Sequence, residues 1–410
     1  MGRDFIRPPS ATDEKAGRST PATPATPRGG GPLDVMTNPS FPSSFADPLG
    51  LDELELVEQI ATAVDAGVDD AARFDELTRR AFALQYARIP ALRRLCDARG
   101  VDPGALGDKE PWRRVPAVPV IAYRTQDLCV TTPQEIFRSS GTTGGDEQRS
   151  VHRHPFPGLY RRVIDATFAA ACLPEPGRRP MLSLIPSRAV VGDSSLGFMA
   201  DHILDTWGEA PHVRIAMGAD GLDTAAARAW VEGLDGRPGT LLTTAFALAF
   251  WLDALRRDGT RLSLPAGSTI FETGGFKGRT RELTRQELLA EVEERLGTAP
   301  TSVVREYGMT EMTGHVYTDV LRGGDGDLFV VPPFMRVRMS DPETLEDVGL
   351  GRPGLVTLFD LSNVGSCLHV VTQDLGIREA GGFRLLGRAS AAELRGCSLT
   401  AEELSTPDMV

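Results

Sequence analysis

The sequence predicts an α/β fold in which strands alternate with helices and a small β-rich subdomain follows. Between residues 120 and 297, short apolar runs bounded by Pro, Gly and Ser alternate with stretches of helical periodicity. This alternation is typical of layered strand–helix units with substantial parallel pairing. After Thr313 the apolar runs become shorter and glycines separate them, which indicates the β-rich subdomain.

The composition favours an ordinary globular enzyme of one large domain or two smaller ones. The chain has 410 residues, 41% of them hydrophobic and 24% charged. A net charge of −12 argues against nucleic acid or an anionic membrane surface as the main partner. No apolar run approaches the roughly 20 residues of a membrane span, and the N-terminus lacks the apolar core of a secretory signal. We expect a cytoplasmic protein.

The five cysteines support the same location. They are scattered and include no CxxC pair, which fits reduced thiols and indicates no zinc site. The cysteines are Cys96, Cys129, Cys172, Cys367 and Cys397.

Residues 1–46 are rich in Pro, Ser and Thr and carry few apolar side chains. Such a segment cannot bury enough apolar surface to offset its ordering entropy, so we expect a disordered tail. A docking segment is the alternative. A helix follows, with apolar residues near one face at Leu51, Leu54, Leu56, Val57, Ile60 and Val64. One or two further helices end before Gly100 and Pro103.

The remaining elements follow from local composition and period. The predicted strands of the first half are VIAYRT, MLSLIP, HVRIAMG, GTLLTTA and GSTIFETGG. The predicted helices are YRRVIDATFAAACL, DTAAARAWVEGL, AFALAFWLDALRRDG and RELTRQELLAEVEERLG. The predicted strands of the β-rich subdomain are GDLFVV, MRVRMS, GLVTLFDL, GSCLHVVTQD and FRLLGR.

The first candidate site motif is FRSSGTTGGDEQRS, from Phe137 to Ser150. Its glycines permit tight turns with backbone N–H groups pointing inward, and its hydroxyls add donors, so the run can wrap phosphate oxygens. The residues concerned are Ser139, Ser140, Gly141, Thr142, Thr143, Gly144 and Gly145. The run is neither a Walker A loop nor a dinucleotide GxGxxG motif. A plain Ser/Gly turn is the alternative.

The second motif is VVREYGMTEMTG, in which a strand leads into Tyr307 and Gly308. An aromatic ring beside a glycine suits stacking on a flat ligand. Thr310 and Glu311 can reach a phosphate and a divalent cation, because carboxylate oxygen is a natural ligand of magnesium. A strand-end turn with an exposed glutamate is the alternative.

The third motif, FETGGFKGR, has adjacent glycines, Gly274 and Gly275, that let a flat ligand approach the backbone. Lys277 adds a point charge. The chain has 41 arginines and three lysines, so a lysine within a motif is more notable here than in most chains. A solvated loop lysine is the alternative.

The last candidate site residues are Asp374, at a strand end, and Arg388, which follows a glycine in a predicted strand-to-helix hinge.

Taken together and in this order, these motifs resemble the adenylate-forming superfamily. The resemblance implies the large N-terminal domain of that fold over residues 47–386, with a hinge and short tail over 387–410. It implies ATP and Mg²⁺ as cofactors. The loop residues would hold the β- and γ-phosphates, and Tyr307 with Gly308 would pack near adenine. Thr310 and Glu311 would serve the α-phosphate and Mg²⁺, while Asp374, helped by Arg388, would bind ribose.

A narrower resemblance covers Leu51 to Leu399. The segments AFALQYARIPALRRLCDARG, FRSSGTTG, FETGGFKGR, EYGMTEM and LGRASAAELRGCSL together look like the acyl-protein synthetases of bacterial luminescence, the LuxE type. This implies ATP-dependent activation of a carboxylic acid, fatty in that family, with transfer of the acyl group to a protein cysteine. An acyl-acceptor protein, a reductase or a carrier protein, is the implied partner.

The chain departs from the superfamily pattern after Arg388. Most adenylate-forming enzymes carry a C-terminal domain with a catalytic lysine, whereas the 22 residues after Arg388 include no lysine, so we expect that domain to be largely missing. We hypothesise that Lys277 supplies the positive charge that the catalytic lysine of this C-terminal domain provides in those enzymes. The luminescence family carries the acyl group on a cysteine near the C-terminus, and Cys397 stands where the resemblance expects it. A small buried apolar residue is the alternative role for Cys397.

The acid and the acceptor stay open. The segment LSLIPSRAVVGDSSLGFMADHIL is the candidate acyl pocket, with Ser194, Ser195, Phe198 and Met199 as its lining. Its mixed polar and apolar character does not distinguish a long acyl chain from an aromatic or amino acid. Two alternative functions remain. One is a ligase that passes the acyl group to CoA, a carrier protein or an amine, and the other is an inactive nucleotide-binding scaffold.

Overall fold

The computed structural model describes residues 48–68, 70–140, 149–274, 283–390 and 394–405. The helices of this part are α1 (Leu51–Ala66), α2 (Ala71–Arg88), α3 (Pro90–Ala98), α4 (Pro157–Cys172), α5 (Arg188–Val191), α6 (Ser195–Trp207), α7 (Thr224–Glu232), α8 (Ala245–Arg257), α9 (Arg285–Leu296) and α10 (Arg395–Ser405). Short 3-10 helices cover Pro103–Ala105, Pro111–Arg113, Val120–Arg124, Pro300–Ser302, Val320–Arg322 and Leu361–Gly365.

The strands are β1 (Val118–Pro119), β2 (Glu135–Arg138), β3 (Val151–His154), β4 (Arg179–Ser183), β5 (Gly208–Ile215), β6 (Met217–Gly218), β7 (Gly221–Leu222), β8 (Thr240–Thr244), β9 (Thr269–Thr273), β10 (Val303–Tyr307), β11 (Val316–Thr318), β12 (Phe329–Val330), β13 (Met335–Ser340), β14 (Pro353–Asp360), β15 (His369–Glu379) and β16 (Gly382–Arg388). No helix among the described residues is long and apolar enough to cross a membrane.

One large sheet joins both halves of the predicted α/β fold. Its path is β13-β14-β15-β16-β12-β11-β10-β9-β8-β4-β5, with β1 added beside β15. Neighbouring strands are parallel in the half of the sheet that contains β5, β4, β8, β9 and β10. They are antiparallel in the other half, which runs from β10 through β11, β12, β16, β15 and β14 to β13. The predicted α/β class with its β-rich part is therefore confirmed, and the β-rich part extends the parallel sheet edge to edge.

The parallel strands are apolar on both faces because helices cover both. Leu241 and Ile270 pack with α8 on one face, whereas their neighbours Leu242 and Phe271 pack with α4 and α6 on the other. Successive strand residues point to opposite faces, so a continuous apolar run serves two cores at once. Trp251 of α8 is fully buried against the first face.

Two sequence predictions are wrong in detail. VIAYRT is a 3-10 helix at Val120–Arg124 and not a strand, since it turns directly after Pro119 and buries Ala122 and Tyr123 together. An apolar run of this length cannot be assigned by composition alone. Leu51 does not join the apolar face of α1, because it stands in the first turn and is 85% exposed.

Candidate active site

Two of the sequence motifs meet at the carboxyl ends of neighbouring parallel strands. β9 ends at Thr273, before Gly274, and β10 ends at Tyr307, before Gly308. The register pairs Thr273 with Glu306, so both turns leave the sheet at the same level. Ligands of open α/β sheets bind at this edge, outside the carboxyl ends of the strands.

A buried carboxylate joins these two strand ends. Glu306 accepts hydrogen bonds from the hydroxyl of Thr273 and, over 2.8 Å, from Nδ1 of His315. It also explains one glycine of the motif, since a Cβ on Gly308 would stand 2.1 Å from Oε1 of Glu306. A side chain at this position would displace the Glu306 carboxylate from its contacts with Thr273 and His315, so glycine fits here independently of any ligand.

Tyr307 and Asp374 form the second contact of the edge. The Tyr307 hydroxyl donates to Oδ2 of Asp374 over 2.9 Å, and Nε of Arg388 lies 3.4 Å from Oδ1. Burial, reinforced by the Asp374 carboxylate, holds the pKa of Tyr307 well above its usual value, so the phenol stays protonated and donates. Asp374 and Arg388 are paired across β15 and β16.

Arg388 is the most open member of this group. It is the last residue of β16, and its side chain is 73% exposed. Gly387 before it has a φ of +132°, a conformation that other residues rarely adopt. The next described helix, α10, begins at Arg395. The strand-to-helix order predicted around Arg388 is therefore present.

The base of the Ser/Thr/Gly loop is an antiparallel hairpin of β2 and β3. The Ser139 N–H donates to the Ser150 carbonyl over 3.0 Å, and the Ser150 N–H donates to Oγ of Ser139 over 2.9 Å. Arg149 donates to the Ser139 carbonyl and, over 3.1 Å, to Asp193. Arg149 is thus part of the loop base, and Ser140 is exposed beside it.

Other predicted site residues lie outside the described part of the chain. They are Gly141, Thr142, Thr143, Gly144, Gly275 and Lys277. Their roles stay predictions.

Glu311 lies against the loop base. It is 8% exposed, and the neighbouring Ser150 side chain lowers the pKa of its carboxyl. Burial raises the pKa of Glu311, and the Ser150 side chain and the charges of Arg124 and Arg388 oppose that shift. A carboxylate kept at this desolvation cost, at the edge where ligands bind, is characteristic of a functional site.

The backbone around Glu311 is held from two sides. Nδ1 of His152 lies 2.7 Å from the Thr310 carbonyl, and Nε2 of His154 lies 3.0 Å from Oγ1 of Thr313. From the other side, Nδ2 of Asn363 donates to the Glu311 carbonyl over 3.1 Å. The motif segment is therefore fixed by side chains of β3 and of the 3-10 helix Leu361–Gly365.

Ser150, His152, His154 and Asn363 belong to the candidate site but to none of the predicted site residues. A signal for the first three was present, because S-x-H-x-H after the loop has the period of a half-buried strand, with polar residues on its inner face. Asn363 gave no such signal, since it becomes part of the site only through the tertiary fold.

The predicted acyl-pocket residues lie at the start of α6. Ser194 caps the helix, accepting from the Gly197 N–H over 3.1 Å, and Ser195 is half-buried. Phe198 and Met199 are buried, and the Phe198 ring stacks on Tyr160 with centroids 5.2 Å apart. Tyr160 in turn stacks on His315 at 5.6 Å, which connects this wall to the strand-end cluster of Glu306.

Cys397 lies within α10 and is 1% exposed. It packs in an apolar cluster with Ala117, Leu345, Leu355 and Val371. Burial raises the pKa of the Cys397 thiol to about 11, so the docked helix does not present a thiolate.

Two arginines of α3 hold α10 in this place. Arg99 contacts Thr400 and Glu403, both over 2.8 Å, and Arg94 donates to the Leu404 carbonyl over 2.9 Å.

The donors present suit a metal bound mainly through phosphates. Among the described residues no cluster of three or more His, Cys, Asp or Glu side chains could hold an ion. Mg²⁺ in nucleotide sites commonly takes one or two protein carboxylates together with phosphate oxygens and water. Glu311 at the loop base fits that pattern, and the partly exposed carboxylate of Asp374 suits the hydroxyls of a ribose.

Comparisons with known proteins bear on the family and on the fold. Residues 243–406 match the family model described as acyl-protein synthetase, LuxE. A long-chain-fatty-acid–luciferin-component ligase of Vibrio harveyi is 34% identical over 83 residues, 18% of this chain. The aligned stretch spans 22% of the length of that curated relative.

Solved structures share the fold. An open conformation of 2-hydroxyisobutyryl-CoA ligase, in complex with 2-HIB-AMP and CoA, aligns with a TM-score of 0.58 and 14% identity. The alignment covers 80% of this chain and 77% of that one. The same ligase in its thioesterification state gives a TM-score of 0.58 at 15% identity, over 80% and 71% of the two chains. Residues 243–406 are therefore similar to the acyl-protein synthetase (LuxE) family, and the chain shares the fold of 2-hydroxyisobutyryl-CoA ligase.

Proposed function

We propose that this protein is an AMP-forming ligase that activates a carboxylic acid, fatty in the first instance, as an acyl-adenylate. The observation that carries the proposal is the convergence of Glu311, the Ser139–Ser150 loop base and the Tyr307–Asp374 pair at one sheet edge. The fold supports it, because the similar 2-hydroxyisobutyryl-CoA ligase is solved with an acyl-AMP.

In the first step a carboxylate oxygen of the acid attacks the α-phosphorus of ATP. The bond from that phosphorus to the bridging oxygen breaks, and pyrophosphate leaves with its electron pair. Two anions must meet, so the barrier is largely electrostatic. Loop hydroxyls and N–H groups would hold the departing phosphates, and Lys277 would offset charge near the attacking oxygen. Mg²⁺ held through Glu311 would supply further charge neutralisation.

The nucleotide would be oriented from the opposite side. The Tyr307 hydroxyl engages one oxygen of Asp374, leaving the other, with Arg388 nearby, for the ribose hydroxyls. Gly308 and Gly274 are the backbone positions beside which the adenine ring would pack. Residues 47–386 would form this adenylating domain, and 387–410 the hinge and tail.

In the second step a thiolate attacks the acyl carbonyl, a thioester forms and AMP leaves. We propose Cys397 as the acceptor, on the strength of the family match, with transfer onward to a partner protein such as a reductase or carrier protein. Because Cys397 is buried, α10 must leave its packing before the thiol can react. The same burial favours a second candidate, in which CoA, a carrier-protein thiol or an amine takes the acyl group directly.

Carboxylate-dependent ATP–pyrophosphate exchange over a panel of acids tests the first step. We expect exchange with one class of acid and none in EDTA. Absence of exchange with every acid would instead indicate an inactive nucleotide-binding scaffold.

The second step is tested with a labelled acid and MgATP. Protein-bound label that hydroxylamine removes, and that Cys397→Ser lacks, supports the cysteine acceptor. Label that persists on Cys397→Ser excludes it, and label found only on added CoA supports the second candidate. The free cysteines Cys96, Cys129, Cys172, Cys367 and Cys397 support a cytoplasmic setting for this chemistry.

A further inference from the structure

Three side chains face the motif that contains Glu311. Two of them, His152 and His154, lie in β3, and the third, Ser150, directly precedes this strand. Ser150, His152 and His154 are 5%, 1% and 3% exposed, whereas the intervening Val151 and Arg153 are only half-buried. Side chains at i, i+2 and i+4 of a strand lie on one face. This face therefore presents three polar groups, in order, to a single segment of chain.

Each of the three groups contacts a different point of that segment. His152 binds the Thr310 carbonyl over 2.7 Å. Ser150 neighbours the Glu311 carboxyl and lowers its pKa. His154 binds the Thr313 hydroxyl over 3.0 Å.

The hydrogen-bond partners determine the tautomer of His152. A carbonyl oxygen only accepts, so Nδ1 must carry the proton that is donated to Thr310. Burial lowers the pKa of His152 to about 4, which keeps the ring neutral at physiological pH. The contact is therefore a neutral, directional donor and not an ion pair.

The tautomer of His154 is opposite, and a third residue determines it. The Thr313 hydroxyl donates to Oδ1 of Asn363 over 2.9 Å, because Nδ2 of Asn363 donates to the carbonyls of Glu311 and Cys367. With its proton used there, Thr313 can only accept from His154, so Nε2 carries the proton. Nδ1 of His154 has no hydrogen-bond partner, in agreement with this assignment.

We propose that Ser150, His152 and His154 are positioning residues that hold the segment of Glu311 against the loop base formed by Ser139 and Ser150. The proposal rests on the proposed function, since it assigns Glu311 to the metal. β3 begins directly after Ser150 of the loop base, so the strand that closes this base also holds the segment that carries Glu311. Residues that orient a metal ligand in this way commonly change metal affinity by about 10- to 100-fold when they are lost.

The two tautomers allow a matched test. Asn places its Nδ2 at the position of the histidine Nδ1, and Gln places its Nε2 at the position of the histidine Nε2. His152→Asn and His154→Gln should therefore keep the donors, whereas the crossed variants His152→Gln and His154→Asn should lose them. Ser150→Ala removes the third contact with little change in volume.

The readout is the affinity for Mn²⁺, measured by paramagnetic resonance on the full chain with α,β-methylene-ATP present. Affinity for the analogue in EDTA is the control. We expect the crossed variants and Ser150→Ala to weaken Mn²⁺ binding about tenfold, with nucleotide affinity in EDTA changed less than about twofold. His152→Asn and His154→Gln should stay within about threefold of the parent chain.

Folded crossed variants with the parent Mn²⁺ affinity would overturn the proposal while leaving the ligase function intact. If a crossed variant does not fold, Ser150→Ala with unchanged Mn²⁺ affinity overturns it equally. A parent chain that binds neither the analogue nor Mn²⁺ would overturn the proposed function, and this proposal with it.

Discussion

The Tyr307 hydroxyl donates a hydrogen bond to the Asp374 carboxylate over 2.9 Å, joining the end of one parallel strand to a strand of the antiparallel half. Since β10 and β15 are not neighbours in the sheet, this contact is made by side chains alone. It brings the YGMTE motif and the strand-end aspartate into one site.

We predict that Asp374→Asn raises the KM for ATP about 10- to 100-fold, because a charge-assisted hydrogen bond to ribose becomes a weaker neutral one. Tyr307→Phe is the matched control. It leaves the Asp374 charge in place and should raise that KM less than about fivefold, because only one neutral hydrogen bond is lost. Initial rates of pyrophosphate exchange at varied ATP provide both values. Equal effects of the two variants would contradict a direct role for Asp374.

Glu311→Gln should lower the exchange kcat by about 100-fold or more, since the metal-binding charge is lost. The same variant should be at least as stable as the parent chain at neutral pH. Burial raises the pKa of Glu311, so ionising this carboxyl costs folding free energy as pH rises through that pKa, and glutamine removes the cost. Urea unfolding at pH 7 measures the second effect. A variant that is both inactive and strongly destabilised would indicate a structural role.

The buried histidines predict an acid-side loss of stability. The pKa of His152 falls from 6.5 to about 4 on folding, through burial, so between these values the unfolded chain binds the proton more readily. Its contribution is constant above about pH 6.5 and is lost as pH falls toward 4, by about 3 kcal/mol in all. His152→Asn should show a shallower decline in urea unfolding free energy from pH 7 to 5. Burial also lowers the pKa values of His154 and His369. These two histidines account for the decline in unfolding free energy that remains in the variant.

The packing of α10 predicts that the Cys397 thiol reacts slowly with alkylating reagents. Cys397 should react with iodoacetamide much more slowly than a free cysteine, because the thiol is buried and its pKa is raised to about 11. Arg99→Ala removes contacts to Thr400 and Glu403 and should accelerate labelling of Cys397 severalfold. Peptide mapping after timed labelling identifies the site. Cys172, which is buried at the end of α4, is an internal control that should not change.

Much of the fold follows from local pattern. Strands such as β4, β8, β9 and β10 are short apolar runs bounded by Pro, Gly or polar residues, and the helices between them have clear periodicity. The segment VIAYRT was misassigned because its turn depends on burying Tyr123 against the core, which composition does not reveal. The order of strands across the large sheet is likewise a property of distant pairings.

The sequence indicates several motif residues of the candidate site but not the residues that hold them in place. Glu311, Tyr307 and Asp374 carry recognisable chemistry within short motifs, and the last two are in contact. His152 and Asn363 act on backbone carbonyls far away in the sequence, so their role appears only in three dimensions. The environment of Cys397 was left open by the sequence for the same reason.

The contact between α3 and α10 has a consequence for synthesis on the ribosome. Arg99 and Glu403 are separated by 304 positions, and β1 pairs with β15, which is also made late. The N-terminal helices therefore remain without part of their packing until nearly the whole chain has emerged. Such long-range closure slows folding and exposes apolar surface meanwhile. We expect nascent chains stalled before β15 to depend on chaperones, and full-length chains to be released from them.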